Sequence, residues 1–319
     1  ETDRVLSVIG PVRSSNTESL IHLCTRHTIP LITPGCPNHN IVSQSAWAFR
    51  LFPDPGKEMD SLISFCSRDL GITSFGCLYP EINYGQQAIV GLNNAVWEEM
   101  GDLVYTKSYP VDLTTLRSIL HDVSDKSTEV IIIPDNAERA SVVAGQIRYA
   151  ELLMPTIAGI GAWDDQKLLE VAGNNLEGSF FVTAYPRAHG PRAEIIQRYI
   201  ARFGETPDLF SLRTYEATKI LLTAVESGVS FRAQLLHYLK NSDGVPGLDG
   251  QAVFDENGDY ITPFTIYRVE GKKVMPWRII PAKTILQQWM DPSDPNSSRM
   301  EHSQPVELAS SEQHPNPSP

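Results

Sequence analysis

Val130-Ile131-Ile132-Ile133-Pro134-Asp135-Asn136-Ala137 is the stretch on which the fold turns. Four apolar residues run on without polar alternation and stop at a proline followed by two short polar side chains. A strand with one face in water would alternate, so this one predicts burial on both faces, as in a parallel sheet covered by helices. Outward from it, similar apolar runs lie at 5–9, 30–33, 75–79, 103–105, 156–160 and 179–183, each bounded by Gly, Pro, Asp or Asn. Amphipathic stretches of helical length separate them at 17–27, 55–69, 86–100, 114–123 and 137–150. This βαβα alternation predicts an α/β fold of parallel sheets with helices on both faces.

Beyond residue 183 the pattern changes. Three helical stretches at 191–203, 212–226 and 231–239 precede an antiparallel pair at 263–269 and 274–279, joined by the turn Glu270-Gly271-Lys272-Lys273. Proline and small or polar residues interrupt the alternation at Pro53-Asp54-Pro55-Gly56, at 185–190 and at 255–263, which reads as three crossings between two lobes. The expected division is a first lobe of 1–53 plus 187–262 and a second lobe of 54–186 plus 263–285. The last 29 residues, from Asp291, hold six prolines, seven serines and almost nothing apolar, which predicts a disordered tail at 291–319.

Composition narrows the function. At 319 residues and 41% apolar content the chain is long enough for two packed cores. A net charge of -12, with no basic cluster longer than Gly271-Lys272-Lys273, argues against nucleic acid and anionic membrane surfaces. The four cysteines, Cys24, Cys36, Cys66 and Cys77, form no Cys-x-x-Cys pair and have no histidine at zinc-ligand spacing, so no metal is expected. Cys66 and Cys77 read as small buried hydrophobes, and whether Cys24 and Cys36 pair is a matter of geometry. No Gly-x-Ser-x-Gly elbow, Walker loop or His-Glu-x-x-His occurs, and Gly159-Ile160-Gly161 lacks the third glycine of a dinucleotide fingerprint. Neither catalysis nor a cofactor is expected.

Several short motifs, taken in order, resemble one family. They are Val8-Ile9-Gly10-Pro11 with Ser14-Ser15-Asn16-Thr17, Ile29-Pro30-Leu31-Ile32-Thr33-Pro34, Phe49-Arg50, and Leu78-Tyr79-Pro80 with Asn83-Tyr84-Gly85. Gly247-Leu248-Asp249-Gly250 and Phe254-Asp255-Glu256-Asn257-Gly258-Asp259 complete the series. Together they resemble the type I periplasmic solute-binding proteins, which include the leucine/isoleucine/valine-binding proteins. The resemblance implies a two-lobed binding fold, a small polar ligand in the cleft, a membrane transporter as partner and an extracytoplasmic location. It also implies a strand, helix and strand before the segment at Val5, so that the first lobe is expected to be truncated, with any signal or lipid-attachment site upstream of Glu1. A second resemblance is confined to 134–182, where Gly161-Ala162-Trp163-Asp164-Asp165 and Leu176-Glu177-Gly178 are similar to penicillin-binding-protein activator-like members. These are thought to act on envelope enzymes through protein contacts.

Ligands of open α/β sheets sit beyond the carboxyl ends of the strands, which selects the candidate residues. Ser14 and Ser15 follow the first strand and open a helix, where hydroxyls and free N–H groups suit a carboxylate, although Ser15 or Asn16 as a plain helix cap explains them equally. Gly35 and Cys36 form the next loop, in which Pro37 stands where the resemblance implies a threonine, removing a hydroxyl and a backbone donor. Tyr84 matches the family's ligand-contacting tyrosine, or else only packs against its loop. Asp135 reads as a ligand residue or as the N-cap of the next helix. Gly161 stands where the resemblance implies an acid for a ligand ammonium, with Asp164 as a candidate replacement, and Trp163 covers either the cleft or the sheet. Two functions follow: capture of an amino acid or related carboxylate for an ABC-type transporter, or ligand-independent regulation of an envelope enzyme.

Overall fold

The computed structural model describes residues 5–36, 39–112, 114–150, 155–165, 167–184, 191–241, 243–248, 251–261 and 263–280. The chain opens with β1 (Val8–Ile9), α1 (Ser14–Arg26), β2 (Leu31–Thr33), a short α2 (His39–Val42) and β3 (Ala48–Arg50). These three strands form a parallel sheet in the order β1-β2-β3. The chain then builds α3 (Pro55–Ser64), continued by one π-helical turn at Phe65–Asp69, followed by β4 (Ser74–Pro80), α4 (Asn83–Glu98), β5 (Asp102–Tyr109) and α5 (Arg117–Asp122). Next come β6 (Val130–Ile132), α6 (Ala137–Tyr149), β7 (Thr156–Gly159), α7 (Lys167–Ala172) and β8 (Phe180–Thr183). Helices α8 (Pro191–Phe203), α9 (Leu209–Glu226) and α10 (Arg232–Leu239) lead to β9 (Val245–Pro246), β10 (Gln251–Phe254) and β11 (Tyr260–Ile261). The hairpin β12 (Phe264–Glu270) and β13 (Lys273–Ile280) ends the described chain.

The second sheet has seven strands in the order β13-β12-β8-β7-β6-β4-β5. Strands β5 to β8 run parallel with β4, and the hairpin adds antiparallel through β12 against β8. The run Val130-Ile131-Ile132 is fully covered, as expected of a central parallel strand. Its two faces feed separate cores: Val130 and Ile132 meet α3 and α4 through Met59, Leu62, Ala88 and Leu92, while Ile131 meets α6 and α7 through Val143, Ala144 and Leu168. The α/β fold class is therefore as expected, and the helix-flanked sheets match the two-lobed binding architecture.

The first sheet packs on α9 and α10, with Ile32 and Phe49 against Ala217, Ile220 and Leu235. A buried polar knot anchors the connection that returns from α10: Glu216 pairs with Arg213 and accepts bonds from Leu248 N (3.0 Å) and the Tyr260 hydroxyl (3.1 Å). Burial alone would raise the Glu216 carboxyl, but Arg213, the Leu248 N–H and Arg192 hold it below the ordinary range. All four cysteines are buried free thiols, so Cys24 and Cys36 do not pair, and burial pushes the Cys66 and Cys77 thiols up. Among the described residues no helix is long and apolar enough to cross a membrane. The expected crossing at 185–190, Pro37, the Asp249-Gly250 pair and the expected tail at 291–319 lie outside the described residues.

Candidate functional site

The loops after β1 and β2 are clamped to each other. Cys36 N donates to Val12 O (2.6 Å) and the Thr33 hydroxyl donates to Pro11 O (2.5 Å). Residue 35 has to be glycine here, because a β-carbon would collide with the Val12 carbonyl. Cys36 is fully buried and takes a left-handed backbone (φ 61°). Ser14 and Ser15 are the first two residues of α1, so the expectation that Ser15 or Asn16 caps the helix is corrected: Arg13 holds the cap position, makes no side-chain cap bond, and no acidic residue lies in the first turn. The α1 N-terminus therefore keeps its positive end beside Gly35 and Cys36.

Arg50, at the carboxyl end of β3, is wholly buried and ties this loop pair to the crossing. Its Nη1 donates to Cys36 O (3.2 Å), its Nε to Asp259 Oδ1 (2.6 Å) and its Nη2 to Asp54 Oδ2 (3.3 Å). Burial alone would lower this guanidinium, but the Asp259 and Asp54 carboxylates hold it above its ordinary value. The 254–259 motif is a turn in which Asp255 Oδ1 accepts from Asn257 N and Asp259 N, aiming Asp259 at Arg50 while Asp255 Oδ2 receives Lys57 (2.8 Å). Asp54 also caps α3 through Gly56 N (2.8 Å), with Pro55 opening the helix.

One turn into α3, Glu58 reaches the loops after β7 and β8. Gly161 N donates to Glu58 Oε2 (3.2 Å), while Oε1 has no hydrogen-bond partner and the side chain is 2% exposed. Burial pushes this carboxyl up to about 8, the Gly161 and Ala184 N–H groups oppose the rise, and the Asp54 and Asp164 charges add to it. A β-carbon on Gly161 would collide with Glu58 Oε1, so Glu58 occupies the space that a side chain at 161 would need.

The other candidates divide. Asp164 is half-buried at the end of the 3-10 turn Gly161–Trp163, and Asp165 Oδ1 accepts from Lys167 N (2.8 Å) at the start of α7. Tyr84 stands in the first turn of α4, half-buried, with its ring against the core beneath α3 and α4. Asp135 is fully buried, with its oxygens engaged by the Tyr109 hydroxyl (2.8 Å), Asn136 N (2.7 Å) and the Arg139 guanidinium (2.6 and 2.8 Å). Asn136 rather than Asp135 is the N-cap of α6. Trp163 is likewise fully buried, donates from Nε1 to Ile133 O (2.9 Å) and lies over Gly159, so it covers the sheet and not the cleft. The structure thus gathers Ser14, Ser15, Gly35 and Cys36 at one sheet end, and sets Asp135 into a buried network with Tyr109 and Arg139.

Arg50, Asp54, Glu58 and Asp259 are the polar centre that sequence reasoning missed. Phe49-Arg50 and the 254–259 motif were visible as family matches, and Asp54-Pro55-Gly56 as a break, but nothing local marks Glu58 as buried. An acidic residue in a first helical turn reads as an ordinary surface complement to the helix dipole.

Two helix-flanked sheets, one parallel and one mostly parallel, with polar loops at the carboxyl ends of their parallel strands and a charged crossing between them, define a two-lobed α/β binding protein. A family model described as periplasmic binding protein matches residues 1–273, and the chain belongs to that family. The resemblance to type I solute-binding proteins is thereby borne out. Among solved structures, a leucine-binding protein from Thermotoga maritima is 21% identical, with a TM-score of 0.69 over 88% of this chain and 81% of that one. A putative branched-chain amino acid ABC transporter protein from Rhodospirillum rubrum is 20% identical, with a TM-score of 0.79 over 86% and 80%. A solute-binding protein of an ABC transporter from R. palustris, in complex with benzoate, is 16% identical, with a TM-score of 0.68 over 88% and 79%. No curated protein sequence matches.

Proposed function

We propose that this protein captures a small polar solute, an amino acid or a related carboxylate, in the cleft between two lobes and presents it to an ABC-type membrane transporter outside the cytoplasm. The lobes in this reading are 1–53 with 187–262 and 54–186 with 263–285, a division supported by β1–β3 forming one sheet and β4–β8 another with the returning β12 and β13. The observation that carries the reading is the α1 N-terminus: a 13-residue helix whose N-cap residue, Arg13, makes no side-chain cap bond and whose first turn holds no acid, opening beside the Gly35 and Cys36 loop. Such an end suits a carboxylate. The family and the transporter proteins among its structural relatives support the partner and the location.

Thermal unfolding against a panel of amino acids and aromatic carboxylates, including leucine and benzoate, tests it. A true ligand at a hundred times its Kd stabilises the folded state by about 2.7 kcal/mol. Replacing Ser15 with proline, which preserves a first-turn helical position but removes an N–H donor, is expected to abolish that shift. A flat response across the whole panel would reject solute capture.

A second reading, a ligand-independent regulator of an envelope enzyme, is favoured by one observation: Gly161 carries no acid, and Glu58 fills its space. It predicts an envelope enzyme that co-purifies regardless of Ser15 and Tyr84 substitutions.

A further inference from the structure

Glu58 is the buried carboxyl at the crossing that solute capture by Ser14, Ser15, Gly35 and Cys36 leaves without a task. Three features set it apart. It is bonded through Oε2 to Gly161 N, across 103 residues of sequence, so it joins the first turn of α3 to the loop after β7. Its Oε1 lies in the space over Gly161 with no partner. Asp54, one turn earlier on the same helix, is bonded to Arg50, which in turn holds Cys36 O in the loop after β2. A continuous set of contacts therefore runs from Cys36 through Arg50, Asp54 and the first turn of α3 to Glu58 and Gly161.

We propose that Glu58 is a proton-controlled positioning residue: as a neutral carboxyl it ties the loop after β7 to α3, and through Asp54 and Arg50 to the loop after β2, and on ionising it lets the two loops part. The proposal rests on reading those loops as the ligand loops. The groups around Glu58 favour its neutral form. Asp54 on α3 and Asp164 on the turn after β7 both face it with like charge, and of the described residues at the β8 end Ala184 contributes its N–H. The neighbouring cations are committed elsewhere, Arg50 to Asp259, Asp54 and Cys36 O, and Lys57 to Asp255. Ionisation would put a third carboxylate charge into a buried space toward which no cation among the described residues is directed, and burial with the two facing charges outweighs the Gly161 N–H bond, which by itself favours the ionised form.

Trp163 sits in that same turn and gives a readout that needs no ligand. The ligand-free protein is titrated from pH 6 to 10 while the Trp163 signal is followed as the difference between wild type and W163F. A reversible transition centred near pH 8 is expected, absent in E58Q and retained in D60N. Asp60 makes the necessary control, because burial and Glu98 push its carboxyl up to about 8 as well. Should E58Q fail to fold, D164N serves: removing one of the two facing charges is expected to move the midpoint down. No transition in wild type, a transition that survives in E58Q, or a midpoint unmoved in D164N overturns the proposal. The affinity for whichever of leucine or benzoate binds is then measured across the same range, where E58Q is expected to flatten the pH profile. If the Trp163 transition is present and neither probe binds, solute capture fails while the positioning role of Glu58 stands.

Discussion

Arg50 and Asp259 stand 209 residues apart in sequence and meet at 2.6 Å, with the guanidinium wholly inside the protein. Removing one partner of such a pair leaves a charge without compensation, which costs more than the pair itself contributes. Asp259→Ala is accordingly expected to destabilise the fold by roughly 3–5 kcal/mol in urea denaturation, far more than a surface ion pair such as Lys107 with Asp122 would cost. The same pair explains why β3 was not legible as a strand: a charged residue closing Ala48-Phe49-Arg50 reads as an exposed end until its distant acid is known. Glu58 has a stability signature as well. Its folded-state value of about 8 lies above the ordinary 4.5, so between those limits the folded protein holds a proton that the unfolded chain has released. Stability from this group is full below about pH 4.5 and is lost as pH rises toward 8. Glu58→Gln is expected to remove that share of the slope, on the order of a few kcal/mol, seen as a flatter dependence of Tm on pH between 5 and 9.

At the scale of elements, α3 and α4 approach so closely that a β-carbon on Gly91 would collide with the Gly56 backbone. Propensity alone favours Gly91→Ala by about 1 kcal/mol in a helix interior, whereas overpacking against a backbone costs roughly 1–3 kcal/mol. The steric cost wins because the obstacle is main chain and cannot rotate away, so Gly91→Ala is expected to lower Tm. Helices of this kind were legible from their 3.6-residue period: the stretches at 86–100 and 137–150 became α4 and α6 with shifts of a few residues at their ends. Several of the shortest elements were not. The strands β9 to β11 and the helices α2 and α7 are too short to display a period, and long-range partners stabilise them, as Leu248 N and the Tyr260 hydroxyl on Glu216 show. The candidate site shares that limit. The loop residues Gly35 and Cys36 were legible because each follows an apolar strand, while Asp135 was misread because its partners Tyr109 and Arg139 come from two different elements.

The molecule as a whole is joined at its crossing by more than the connecting strands of chain. The cluster beneath α3 and α4 takes in Ile261 and, at its margin, Val253 and Leu209, residues whose own elements belong with the first sheet. Apolar contact of this kind couples the two sheets energetically, because exposing one side strips burial from the other. Breaks at Pro53-Asp54-Pro55-Gly56 announced a crossing in the sequence, but not this shared core, since its members are scattered from Met59 to Ile280. Unfolding is therefore expected to be a single transition. Emission from a variant retaining only Trp47, beside β3, and from one retaining only Trp163, after β7, should give coincident midpoints in urea. Ile261→Ala removes the shared contact at a cost of roughly 2–5 kcal/mol and is expected to lower both midpoints together. A drop at Trp47 alone would show that the two sheets stand independently, and that the crossing is held by Arg50, Lys57 and their acids rather than by a common core.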